Sequence, residues 1–224
     1  MALLDGKIAL ITGASRGLGR ALGLALGKAG AHIVALARTQ GGLADFDDAL
    51  RKETGRGATL IPLDLAEPDA SFAQLGMVLF ERFKHLDILA LNTAAIGPLS
   101  PVAHVKEADL QKIMAVNFTA NARLLRHLDP LLRASQSPKV LFLTCGESSR
   151  AHSAYWGAYA ASKKALEQLA LSYKEETEKA GFDVRVIDPG PMATQLRRSA
   201  FPGEDQANMQ TPEQAAEKIM KGLG

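Results

Sequence analysis

Lys7-Ile8-Ala9-Leu10-Ile11-Thr12, then Gly13-Ala14-Ser15-Arg16-Gly17-Leu18-Gly19, then an apolar-periodic run to Gly30, is the stretch that decides the fold. An unbroken apolar run, a glycine-rich turn and a 3.6-residue period read as buried strand, tight turn and helix. Glycines let the backbone bend sharply and come close to a diphosphate, whose charge a helix N-terminus favours. The spacing is G-x-x-x-G-x-G, not the G-x-G-x-x-G of the commonest dinucleotide turn. Many tight turns need glycine, so the strand before and the helix after carry the reading.

Outward from this unit, strand-like runs recur at 7–12, 32–37, 58–63, 86–91, 138–144 and 183–188, separated by longer helical or polar stretches. That alternation predicts βαβ units: an α/β, doubly wound parallel sheet of six strands, Rossmann-like, in a single domain over residues 1–224. Helices are expected at 40–53, 66–83, 106–133 and 156–179. Leu166, Leu169 and Tyr173 on the last of these read as packing positions. A final helix opens at Thr211-Pro212-Glu213, with Thr as N-cap and Pro at the first turn.

The second strand, His32-Ile-Val-Ala-Leu-Ala37, ends about twenty residues past the glycine turn, where a carboxylate would bond the adenosine ribose of NAD. Ala37 stands there, followed by Arg38, and Arg16 lies inside the glycine loop. Two guanidiniums suit a 2′-phosphate, which Arg grips through a planar fork. NADP is therefore the expected cofactor, against a plain reading of both as surface arginines. Further on, Trp156-Gly-Ala-Tyr159-Ala-Ala-Ser-Lys163 sets a phenol and an ammonium four residues apart on one helix face. An ammonium beside a phenol favours phenolate, so the pair predicts a Tyr159 pKa below the usual value of about 10. Such a phenol is a candidate general acid and base.

With these residues in view, the chain resembles the short-chain dehydrogenase/reductase family from about Leu3 to Gly222. The family's T-G-x-x-x-G-x-G matches Thr12 to Gly19, and its adenine-contacting Asp matches Asp64 before Leu65. Its N-N-A-G turn is copied imperfectly as Asn92-Thr93-Ala94-Ala95. Its structural Asn matches Asn117, its Y-x-x-x-K runs from Tyr159 to Lys163, and its P-G-x-x-x-T is Pro189-Gly190-Pro-Met-Ala-Thr194. Trp156 to Lys163 and Ser199-Ala-Phe-Pro202 resemble a bacterial branch of its oxidoreductases. The resemblance implies Tyr159 as general acid/base, and Lys163 on the nicotinamide ribose, depressing the phenol's pKa. It also implies that Asn117 holds a water leading to Lys163, and that Thr194 and the backbone at Ile187 grip the nicotinamide end. By the residues alone, Asn117 could equally be a cap or a kink.

The family's carbonyl-polarising serine, thirteen residues before the tyrosine, is Gly146 here; aligning on the strand end gives Cys145, a weak donor. Loss of one such donor lowers turnover by about a hundredfold to a thousandfold. Thr144, Glu147, Ser148 and Ser149 are the substitutes at hand, with a water-facing polar loop as the plain alternative. Three functions follow. One is an NADP(H)-dependent oxidoreductase interconverting a small to medium carbonyl compound and its alcohol, framed by Ala95 to Leu99, residues 146–156 and Met192 to Phe201. The others are a non-catalytic dinucleotide-binding sensor or scaffold, and a related epimerisation or dehydration.

The chain has 224 residues, 47% hydrophobic and 22% charged, with 26 basic against 24 acidic side chains. One domain is expected, and no charge run argues for nucleic acid. No histidine, His152 included, stands at metal-ligand spacing, so no metal is expected. A single cysteine and no long apolar stretch suggest a reducing, cytoplasmic setting without a membrane span. Ending near Leu223, where relatives add a strand, predicts a homodimer through the helices of Asn117 and Tyr159.

Overall fold

The computed structural model describes residues 3–145 and 154–223. In chain order it contains β1 (Ile8–Thr12), α1 (Gly17–Lys28), β2 (His32–Ala37), α2 (Gln40–Thr54), β3 (Thr59–Pro62), α3 (Asp69–Phe83) and β4 (Ile88–Leu91). There follow α4 (Glu107–Met114), α5 (Ala120–Arg133), β5 (Lys139–Leu143), α6 (Gly157–Thr177), β6 (Asp183–Ile187), α7 (Gln195–Ala200) and α8 (Pro212–Leu223). Each expected strand is present with its ends within two residues. Strands pair in the order β3-β2-β1-β4-β5-β6, all parallel.

β1 lies in the middle of the sheet, and its alternate residues feed opposite cores. Ala9 and Ile11 pack with α1, α2 and α8; Ile8 and Leu10 pack with α3, α5 and α6. Burial on both faces is why the strand reads as a continuous apolar run. Because β3 leads back across the sheet to β4, the chain reverses direction between β1 and β4, and a crevice opens beyond their C-terminal ends.

The single helix expected over 106–133 is helical from Glu107 to Arg133 but is interrupted at Ala115–Thr119 by one π turn, in which the Ala120 N–H reaches back to Ala115. α8 begins with a reciprocal cap: Gln214 N–H donates to Thr211 Oγ1 (3.2 Å) and Thr211 N–H to Gln214 Oε1 (2.9 Å). Among the described residues, two elements have no counterpart in the sequence reading: a 3₁₀ turn at Val102–His104 and the six-residue α7. Both are too short to show a period.

At the opposite end of the sheet, Asp87 is 2% exposed. Its carboxylate accepts from Ile8 N (2.9 Å), Ser135 Oγ (2.7 Å) and Lys7 Nζ (3.1 Å), tying β1 and the α5–β5 connection to the start of β4. Burial favours the neutral acid, but the bonds from Ser135, Ile8 and Lys7 outweigh it and hold the pKa below the usual value. A depressed carboxyl stabilises the fold above the unfolded group's pKa, and that stability is lost as pH falls through the folded value. Asp87→Asn should therefore cost about 1–3 kcal/mol in urea unfolding at neutral pH, and the gap to wild type should close below pH ~4. A gap that stays constant down to strong acid would show that the charge of Asp87 is not what stabilises this end.

Candidate active site

Thr12 closes β1 on the crevice side. Its hydroxyl donates to Ala90 O (3.4 Å) and accepts from Asn92 N (2.9 Å) and Thr93 N (3.0 Å), while Asn92 Nδ2 donates to Thr12 O (3.0 Å). The ends of β1 and β4 are thereby locked side by side. Gly13 and Gly17 take φ of +72° and +54°, where a side chain would be strained. At Gly19 a Cβ would fall on the Gly13 carbonyl and come within 2.5 Å of Asn92 Nδ2. The turn is a concave backbone cradle that admits no side chain at its floor.

The other expected nucleotide residues divide by depth. Leu18 and Leu65 point into the two cores, so only their backbone faces the crevice. Ser15 is half-buried and sits against the start of α2, where a Cβ on Gly42 would approach it at 2.8 Å. Arg38 is exposed beyond β2, and its Nη1 lies 3.9 Å from Asp64 Oδ2. Asp64 is steadied by its own turn, accepting from Ala66 N (3.0 Å). Arg16 reaches across to α7, where its Nη1 donates to Gln195 Oε1 (2.9 Å).

The π turn brings Asn117 into the crevice wall. Fully buried, its Oδ1 accepts from Ala95 N (2.7 Å), and its Nδ2 donates to Ala95 O (2.9 Å) and Ser162 Oγ (2.8 Å). Ser162 in turn donates to Tyr159 O (2.7 Å). Asn117 thus fastens the chain after β4 to α6, and its own carbonyl accepts from Asn121 Nδ2 (2.8 Å). The side chains of Ser162 and Asn121 were not singled out from the sequence; the neighbouring A-A-S-K run was the available signal for the first. Asn92 and Ala94 are half-buried on the same wall.

Tyr159 and Lys163 stand on consecutive turns of α6 and are both buried. The expectation that Lys163 depresses the tyrosine is not met. Burial raises the Tyr159 phenol, with the Cys145 thiol, its hydrogen-bond partner, and Asp188 adding to the rise. Lys163 pays for its own depth: burial lowers its pKa to about 8, and Nζ donates to Leu143 O (2.7 Å) at the end of β5. Desolvation acts on each group alone and here exceeds what the pair can exchange. An ammonium has three donors, so two remain after that bond.

The remaining expected residues line the far side. Gly190 has φ +74° and its N–H bonds Asp188 Oδ1 (2.9 Å); Pro189 O accepts from Gln210 Nε2 (2.7 Å). Thr194 caps α7, accepting from Arg197 N (3.2 Å), and its methyl lies 3.6 Å from a Cβ position at Gly17. The Ile187 carbonyl is engaged by Thr144, from its N–H (2.9 Å) and its hydroxyl (3.4 Å), so neither is turned freely to the crevice. Gly146, Glu147, Ser148, Ser149 and His152 lie outside the described residues. Among the described residues no group of three or more His, Cys, Asp or Glu could hold a metal ion.

Lys163 gives a signature with a definite sign. The unfolded lysine keeps its proton up to pH ~10.4, whereas the folded one sheds it near 8. Between those values the unfolded chain binds the extra proton, so stability should rise with pH. Urea unfolding followed from pH ~8 to ~9, below the titration of the unfolded tyrosines, should give a more positive slope in wild type than in Lys163→Met; the same slope in both would mean that the ammonium is not buried as described.

The family model described as short chain dehydrogenase matches residues 7–205. The oxidoreductase YciK of Escherichia coli is 33% identical over 211 residues, covering 94% of this chain and 83% of that protein. The NADPH-dependent pterin aldehyde reductase of Arabidopsis thaliana is 30% identical over 216 residues, covering 96% and 87%. A short-chain dehydrogenase of Escherichia coli solved in complex with NADPH superposes with a TM-score of 0.91 at 32% identity, covering 99% and 90%. The glycine cradle, the Asn117 π turn and the Tyr159–Lys163 pair are thus set in a chain that belongs to the short-chain dehydrogenase family.

Proposed function

We propose that this protein is an NADP(H)-dependent oxidoreductase that interconverts a carbonyl compound and its alcohol, with Tyr159 as general acid/base. The observation that carries the reading is the meeting of a backbone cradle formed around Gly13, Gly17 and Gly19 with a buried Tyr159, Lys163 and Asn117 cluster across one crevice. The cradle fits a dinucleotide diphosphate, which needs close backbone approach. Arg16 and Arg38 fit a 2′-phosphate, Asp64 and the backbone at Leu65 the adenine, and Asn92, Ala94, Pro189, Gly190 and Thr194 the rest of the nucleotide. When bound, the nicotinamide supplies or accepts hydride. The relatives named as a pterin aldehyde reductase and an NADPH complex support this cofactor choice.

Tyr159 is held protonated by its burial, which suits donation to the oxygen of a carbonyl being reduced. Lys163, with two donors left after Leu143 O, would bond ribose hydroxyls and steady the same space. Asn117 and Ser162 fix the wall on which both stand. Trp156 and Phe201, stacked at 5.4 Å, give the pocket an aromatic side. The non-catalytic reading finds no support in the relatives, which are named as reductases and dehydrogenases.

A homodimer through α4–α5 and α6, with exposed Leu110 and Leu171 on their outer faces, belongs to the same proposal, as does a cytoplasmic setting. Size-exclusion chromatography with light scattering should give twice the chain mass; a stable tetramer would count against it. The decisive assay is a carbonyl panel with NADPH. Tyr159→Phe should lower turnover by about 10²–10⁴-fold with NADPH binding retained, and turnover that survives the change would remove Tyr159 from the chemistry. Arg38→Ala should weaken NADPH about tenfold and leave NADH nearly unchanged; equal losses would refute the phosphate contact.

A further inference from the structure

The hydrogen bond from Arg16 to Gln195 joins residues 179 apart in sequence and crosses the crevice from the glycine loop to α7. Arg16 is the extended residue that precedes α1, with φ −160°. Gln195 opens α7 directly after the Thr194 cap, whose methyl already lies over Gly17. The far end of the same helix carries Ala200 and Phe201, packed in one cluster with Trp156 and Tyr159. Arg197 grips Glu204 with two bonds of 2.6 Å and lies 4.6 Å over the Phe201 ring, so that end is held as well. α7 is therefore a strut between the phosphate loop and the aromatic side of the pocket.

The two arginines of the proposed phosphate site have different partners. Arg38 faces the carboxylate of Asp64, which offsets its charge; Arg16 faces a neutral carboxamide, which orients a guanidinium without cancelling it. A guanidinium has five N–H donors in a fixed fork, so one bond at Nη1 leaves the others for a phosphate. Holding a long, mobile cation in place before the ligand arrives removes part of the ordering cost of binding.

We infer that Gln195 is a specificity-determining residue that positions Arg16 for the 2′-phosphate and so sets the preference for NADPH over NADH. The inference rests on the NADP(H) reading above. Gln195 acts only through Arg16, so its effect must vanish when that arginine is removed.

The test is fluorescence titration of the full chain with NADPH and with NADH, reading cofactor emission and quenching of Trp156, the chain's single tryptophan. Gln195→Ala should weaken NADPH about 3–10-fold and NADH less than about twofold. Gln195→Glu, with equal reach, should weaken NADPH at least as much, since its charge neutralises Arg16 and repels phosphate. Arg16→Ala should weaken NADPH about tenfold, and adding Gln195→Ala to it should change nothing further. Equal losses with both cofactors, or an undiminished Gln195→Ala loss in the Arg16→Ala background, would overturn the assignment. If Arg16→Ala leaves the cofactor ratio unchanged while Arg38→Ala alters it, the NADP(H) reading stands and the role of Gln195 falls. If neither arginine alters the ratio, the 2′-phosphate reading fails and the assignment falls with it.

Discussion

The absence of a side chain at Gly19 is the constraint on which the crevice depends. A methyl there would collide with the Gly13 carbonyl and with the Asn92 amide, so the first turn of α1 could not settle against the ends of β1 and β4. Thr12 completes the lock by bonding Ala90, Asn92 and Thr93 at once. Backbone thus lies where side chains normally would, at the place where the strand order reverses. The conformational freedom of glycine makes that approach possible and costs chain entropy on folding.

Across the crevice the protein accepts a different cost. Asn117, Asn121, Ser162 and Lys163 are all buried, and buried polar groups are expensive unless paired. Most of their atoms are paired, through Ala95, Tyr159 O, the Asn117 carbonyl and Leu143 O. The π turn is what aims Asn117 at both the β4 loop and α6, and such turns gather at functional sites. The low-dielectric setting then works on the titrating pair: it raises the pKa of the phenol and lowers that of the ammonium to about 8, each because burial disfavours the charged form.

α7 links these two halves. A six-residue helix contributes little stability by itself, yet its two ends are held by Arg16 and by the Trp156–Phe201 stack. Its position therefore follows from what the glycine loop and the aromatic cluster do.

The positions of the six strands, the glycine turn and the Tyr159–Lys163 spacing were all legible in the sequence, because strand and helix periods and glycine turns are local properties of a few consecutive residues, whereas the order in which the strands pair is not. Asn117 was found through its motif, although nothing local distinguished it from a cap. The direction of the Tyr159 shift, the partner of Lys163, the Arg16–Gln195 bond and the existence of α7 were decided only by tertiary structure. Each depends on which groups from distant segments exclude water or meet across the crevice, and no spacing along the chain encodes that burial.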